Sequence, residues 1–315
     1  MADRSFRLSP TPDGQTPIVH CWSGSDSPRG SIVIAHGMGE HALRYAGLAD
    51  DLVQEGYIVY ANDHRGHGQT VKDASQLGDY GPEGWQGLID DQRELLRRVR
   101  EEHDVPLLLL GHSMGSMVVQ HLITEASDLM DGAALSGTTA VDVMAAATAQ
   151  SSAEDSAAGG GRDLFASFNA AFEPVRTESD WLSRDPDQVD LYVGDPLCGF
   201  TVSEDSIASL MEAGVAYSSD AATNAIRKDL PIYLFSGDRD PVGLGGALVT
   251  RVADRYRAAG ITDVILKLYC EARHEVFNET NRAEVVGDFI AFANRVNENS
   301  AANNSAENAA KGASE

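Results

Sequence analysis

Pro106-Leu107-Leu108-Leu109-Leu110 runs without a polar break into Gly111-His112-Ser113-Met114-Gly115, and Met117, Val118, His121 and Leu122 then fall at helical spacing. The order is a buried strand, a sharp turn and a helix. A serine at the apex of such a turn sits in a strained backbone conformation. Glycines two places to either side remove side chains that would collide with the strand and the helix. The hydroxyl is thereby presented at the edge of a sheet. G-x-S-x-G is a weak signal alone and a strong one in this setting.

Five further runs have the same β-rich character: Ser31-Ile32-Val33-Ile34-Ala35, Tyr57-Ile58-Val59-Tyr60-Ala61, Gly132-Ala133-Ala134-Leu135-Ser136, Pro231-Ile232-Tyr233-Leu234-Phe235 and Val264-Ile265-Leu266-Lys267-Leu268-Tyr269. Nearly continuous apolar runs indicate strands covered on both faces, as in a parallel sheet. Between them, Leu88, Ile89, Leu95, Leu96 and Val99 mark one amphipathic helix, and Val285, Val286, Phe289, Ile290 and Ala293 another. Both stripes are accounted for as core-facing. The alternation predicts an α/β fold, a doubly wound and mostly parallel sheet whose ligands collect at the carboxyl ends of the strands.

The rhythm fails between Ser136 and Pro231, too long a stretch for an ordinary connection. Residues 137–228 are therefore expected to form an inserted helical cap on a core made of residues 1–136 and 229–296. The cap opens with a Gly/Ala/Ser-rich stretch, residues 151–161, expected to be flexible. Phe165, Phe168, Phe172, Trp181, Leu182, Leu191, Tyr192, Leu197 and Phe200 follow, more as packing anchors than as substrate contacts. Residues 297–315 lack apolar periodicity and are expected to be a disordered acidic tail.

With 315 residues, 43% of them apolar, the chain can bury a large core. Its formal net charge of −24 argues against a nucleic-acid partner and against stable adsorption to an anionic membrane. No run approaches a membrane span or a signal peptide, so a cytoplasmic location without membrane insertion is expected. Cys21, Cys198 and Cys270 are odd in number and far apart. That pattern fits reduced, mainly packing thiols and offers neither a disulfide framework nor a CxxC metal pattern.

A serine needs a base. Where a G-x-S-x-G elbow is catalytic, the chain order is serine, acid, histidine. His36, His41, His64 and His67 precede the elbow, His20 and His103 carry no motif, His112 is expected to point away from the serine, and His121 lies about two turns along the helix. His274, just after the Val264 strand, remains. The preceding strand ends in Ser236-Gly237-Asp238-Arg239-Asp240-Pro241, where two aspartates compete for the role of acid. Pro241 favours an extended turn at Asp240, and Asp238 after Gly237 reads as a turn former, which tilts the choice towards Asp240. The glycines of His36-Gly37-Met38-Gly39-Glu40-His41 allow close backbone approach, so the amides of Met38 and Met114 are candidate oxyanion donors. Asp63-His64-Arg65-Gly66-His67-Gly68 lacks a full ligand set at metal spacing and reads as a structural loop.

Taken together, His36-Gly37-Met38-Gly39-Glu40-His41 followed by Arg44-Tyr45, then Asp63-His64-Arg65-Gly66-His67-Gly68, Gly111-His112-Ser113-Met114-Gly115, Gly237-Asp238-Arg239-Asp240-Pro241-Val242 and Arg273-His274-Glu275 resemble a known family. It is the monoacylglycerol lipase and lysophospholipase-like branch of the α/β hydrolases, which includes serine aminopeptidase-like sequences. The resemblance implies Asp240 as the acid, since the family's acid lies three places beyond the glycine, and Met38 and Met114 as the oxyanion amides. It further implies hydrolysis of a small acyl ester, of monoacylglycerol or lysophospholipid type, through acyl-Ser113 and without metal or organic cofactor. Trp181, Leu182, Leu197 and Phe200 are the candidates for lining an acyl pocket in the cap. Two other expectations compete: an amide or peptide bond cleaved by the same triad, and a non-catalytic binder on the same scaffold.

Overall fold

The computed structural model describes residues 2–11, 13–154 and 168–312. Leu107 and Leu109 enter the buried layer on one face of the central sheet, and Leu108 and Leu110 the layer on the other. Strand side chains alternate sides, so an unbroken leucine run requires cover on both faces. The strands are β1 (Arg4–Arg7), β2 (Ile18–Trp22), β3 (Gly30–Ala35), β4 (Tyr57–Asn62), β5 (Leu107–His112), β6 (Gly132–Ser136), β7 (Ile232–Gly237) and β8 (Val264–Tyr269). They form one sheet in the order β1-β2-β4-β3-β5-β6-β7-β8. From β3 to β8 the pairing is parallel, while β2 runs antiparallel to both β1 and β4.

The six runs expected from sequence are β3 to β8. The antiparallel pair lacks their signature: β1 is a mostly exposed polar edge, and in β2 the apolar run is broken by His20, which is buried with its Nδ1 2.9 Å from Ser5 Oγ.

The helices are α1 (Ala46–Gln54), α2 (Gly84–Glu102), α3 (Met114–Ala126), α4 (Val141–Glu154), α5 (Pro186–Gly194), α6 (Glu204–Tyr217), α7 (Asp220–Ala225), α8 (Ala247–Ala258) and α9 (Arg282–Gly312). Leu88, Leu95, Val118, Leu122, Val249 and Val252 from α2, α3 and α8 cover one face of the sheet. Leu48, Leu52, Val285 and Phe289 from α1 and α9 cover the other. Both amphipathic stripes read from the sequence are thus core-facing.

Between β6 and β7 the described residues form helices and no strand. The side chains of Asp185, Ser203 and Ser219 accept the first free amides of α5, α6 and α7, and Pro186 occupies the first turn of α5. Leu210, Tyr217 and Ile226 join the buried layer on the α2 and α3 side, whereas Trp181, Leu182, Tyr192 and Val242 make a small separate cluster. Helix α4 takes up residues as far as Glu154; the rest of the expected flexible stretch, and Phe165, lie outside the described residues. At the other end, α9 continues to Gly312, past residue 297 where order was expected to stop. The alanines, glutamates and lysine there favour helix even without apolar periodicity, and Asn297 donates to the Arg29 carbonyl at 3.1 Å. Among the described residues, no helix is long and apolar enough to cross a membrane.

Candidate active site

Ser113 links β5 to α3 with φ 51° and ψ −120°, a left-handed conformation that a serine adopts only when its surroundings impose it. Its amide donates to the Ser136 carbonyl at 2.9 Å, and its carbonyl accepts from Ser116 Oγ at 2.5 Å. The flanking glycines are required by contact. A Cβ on Gly111 would stand 2.1 Å from the Gly115 carbonyl oxygen, and one on Gly115 2.0 Å from that of Ala35.

His274 lies in the loop after β8, and its Nδ1 is 3.0 Å from each carboxylate oxygen of Asp240. Donation to a carboxylate requires the proton on Nδ1, which leaves Nε2 as the basic nitrogen. Asp240 is fully buried and also accepts from Ser236 Oγ at 2.8 Å and from the Val242 amide at 2.9 Å. Burial opposes its charge, but the His274 ring and these donors outweigh burial and hold its carboxyl below the usual range. Burial also opposes the imidazolium of His274. The adjacent Asp240 charge overcomes it, so the His274 pKa is raised. Asp238 serves elsewhere: its Oδ1 accepts the amide of Glu271, a residue with φ 59° in the loop leading to His274.

Three of the remaining histidines hold the 36–41 loop. His36 Nδ1 bonds the Gly37 carbonyl and its Nε2 accepts the His64 amide; His67 Nδ1 bonds the Arg65 carbonyl and its Nε2 accepts the Gly39 amide at 3.4 Å. Burial lowers the pKa of all three rings, that of His67 to about 3. His112 does not turn away from the site as expected. Its ring packs 4.7 Å from that of His274, because Nδ1 is drawn to Ser136 Oγ on the neighbouring strand.

The same loop approaches the serine. A Cβ on Gly37 would lie 3.2 Å from Ser113 Cβ. The amides on either side of Met38 are spent, that of Gly37 on Glu40 Oε1 at 2.5 Å and that of Gly39 on His67. Met38 N–H has no partner among the described residues, and Met114 N–H, first in α3, has none within its helix. Both amides are therefore unspent, one next to Gly37 and the other next to Ser113.

A buried charge network, unread in the sequence, supports this loop. Arg44 donates to Glu40 Oε2 at 2.6 Å and to both oxygens of Glu275 at 2.6 and 2.8 Å, while Tyr45 donates to Glu40 Oε1 at 2.8 Å. Against the cost of burial, Arg44 keeps both carboxyls ionised and holds that of Glu40 at about 2. All three residues stand inside the motifs quoted above, but their pairing across distant loops has no periodicity to betray it.

Of the candidate pocket residues, Trp181 reaches the site directly. Its ring packs at a tilt 5.0 Å from that of His274, and its carbonyl accepts the His274 amide. Leu182 is buried and its carbonyl accepts the Glu275 amide at 2.7 Å. Phe200 packs edge-on against His67, and Leu197 sits half-buried on the turn after α5, its amide donating to Asp195.

The family profile described as "Serine aminopeptidase, S33" matches residues 26–281. A monoacylglycerol lipase of Mycolicibacterium smegmatis is 29% identical over 285 residues, covering 87% of this chain and 91% of that enzyme. The monoglyceride lipase of Mus musculus is 31% identical over 59% of this chain and 57% of the mouse enzyme. Among solved structures, a thermostable carboxyl esterase from Bacillus coagulans in complex with glycerol superimposes with a TM-score of 0.81 at 28% identity, over 94% of this chain and 99% of that one.

Proposed function

Because the chain belongs to the serine aminopeptidase S33 family, in its monoglyceride-lipase-like branch of α/β hydrolases, we propose that Ser113, His274 and Asp240 form the triad of a serine carboxylic-ester hydrolase. The observation that supports this assignment is the doubly accepted His274–Asp240 contact, with the His274 ring packed against His112, the residue before the left-handed Ser113. His274 Nε2 takes the Ser113 proton as Oγ attacks the ester carbonyl. The oxyanion that forms accepts from the Met38 and Met114 amides. Collapse releases the alcohol with the proton from His274, and water repeats the sequence on acyl-Ser113.

A monoacylglycerol fits as substrate: a relative named for that activity aligns with 87% of this chain, and the chemistry asks nothing beyond side chains and two amides. Residues 137–228 act as the cap, with Trp181 as the acyl-pocket wall nearest the base. Amide hydrolysis by an aminopeptidase-like route has less support. Glu40 and Glu275, the buried carboxylates flanking the site, are both committed to Arg44, which leaves neither to hold a substrate ammonium. Ser113→Ala should lower kcat for a p-nitrophenyl acyl ester and for a monoacylglycerol by about 10³-fold or more while the protein stays folded. Retention of most activity, or failure of a fluorophosphonate to label Ser113, would remove the assignment. Faster turnover of an aminoacyl anilide than of an acyl ester would move it to the amide reading.

A further inference from the structure

Three side chains able to ligate a metal meet where the β6–β7 segment touches the 36–41 loop. His41 ends that loop, and Asp195 and Cys198 share the turn after α5. Their nearest donor atoms all lie within 4.8 Å of one another. Asp195 Oδ2 stands 2.9 Å from His41 Nε2, while Oδ1 accepts the Leu197 amide at 2.8 Å, so the carboxylate is held with one oxygen towards the histidine. The turn is seated on the loop from two further sides, since the Gly199 amide and Tyr192 Oη both donate to the Gly39 carbonyl, at 2.9 and 3.0 Å.

We propose that His41 Nε2, Asp195 Oδ2 and Cys198 Sγ form a binding site for a borderline transition-metal ion of the Zn²⁺ or Co²⁺ type, with a fourth position left to water. A mixed nitrogen, oxygen and thiolate set selects such ions over Mg²⁺ or Ca²⁺, which prefer oxygen alone. With bonds of about 2.0–2.3 Å, tetrahedral ligand atoms stand about 3.3–3.6 Å apart, so separations within the observed limit close by side-chain rotation. The surroundings favour a cation. Three carboxylates, those of Glu40, Asp195 and Glu275, surround Cys198 against the single charge of Arg44, and a bound metal takes the place of the thiol proton. Binding sends that proton to solvent and places the neutral His41 proton on Nδ1. It also exchanges the His41–Asp195 hydrogen bond for two metal bonds. An ion here clips the segment to the loop that carries the Met38 amide. The site does not rest on the ester-hydrolase reading.

The test is titration of the full chain with Co²⁺ under a non-thiol reductant, followed by competition with Zn²⁺. The expected result is a saturable thiolate-to-cobalt charge-transfer band with tetrahedral visible bands, bleached by Zn²⁺. Cys198→Ser should abolish the charge-transfer band, and Asp195→Asn should weaken Co²⁺ binding by about 10-fold or more while keeping it. Cys270→Ser, at the exposed thiol, should change neither. Absence of a saturable band in the unsubstituted chain, a band that survives Cys198→Ser, or one lost with Cys270→Ser would overturn the proposal.

Discussion

Arg44 grips both carboxylate oxygens of Glu275, the residue immediately after His274, and with the same Nη1 holds Glu40 beside the Gly37 amide. One guanidinium thus ties the loop bearing the Met38 amide to the loop bearing His274, the proposed base. Removing it strands two buried carboxylates. Arg44→Met should cost about 3–5 kcal/mol, measured by denaturant unfolding. Arg44→Lys should recover only part of this, because an ammonium cannot reproduce the fork.

In the proposed reaction Glu40 would act through Gly37. Its carboxylate holds that amide at 2.5 Å and so fixes the backbone that carries the next amide, that of Met38, the proposed oxyanion donor. Glu40→Ala should lower kcat on the order of 10–10²-fold with KM nearly unchanged, since small displacements of a preorganised donor are felt in the transition state. Glu40→Gln retains an acceptor oxygen for Gly37 and should restore most of the loss; equal defects in the two variants would argue against the positioning role.

The pH dependence follows from the raised pKa of His274. A base works only when neutral, so kcat/KM should fall as pH drops through that pKa, with the midpoint above the ordinary imidazole value of 6.5. Asp240→Asn removes the charge that raises it. The acid limb of the residual activity should then move down, and kcat should fall by up to about 10⁴-fold. A limb that stays in place would show that another group titrates.

The two aspartates after β7 separate cleanly by substitution. Asp238→Ala loses one hydrogen bond to the Glu271 amide and should cost about 1 kcal/mol of stability, with kcat within a few-fold of the parent. Asp240→Ala should lower kcat by about 10³-fold or more. Comparable losses from both would contradict their separate roles.

What could be read from the sequence follows from the range of each interaction. The strand, turn and helix around Ser113 are local, and the parallel strands announce themselves by unbroken apolar runs, so the fold and the serine were legible. Pro241 biased the choice of acid through a neighbour's backbone, and in the fold it is Asp240 that meets His274. Strands β1 and β2 escaped notice because an exposed edge and a buried histidine erase the apolar signature. The Glu40–Arg44–Glu275 network joins residues on separate loops, and Trp181 reaches His274 from the β6–β7 segment. No pattern within a single segment encodes such meetings. The expectation that His112 turns away failed because Ser136, on the next strand, decides where that ring goes.

The amides of His274 and Glu275 are received by the carbonyls of Trp181 and Leu182. This has a consequence for a chain emerging from the ribosome. The proposed nucleophile and its turn are made before Trp181 and Leu182, and the proposed base after them, so its seat is prepared by residues translated in between. A nascent chain that has already shaped Ser113 would carry an unarmed serine, and the proposed hydrolytic competence would wait until the loop after β8 is seated on carbonyls laid down well before it.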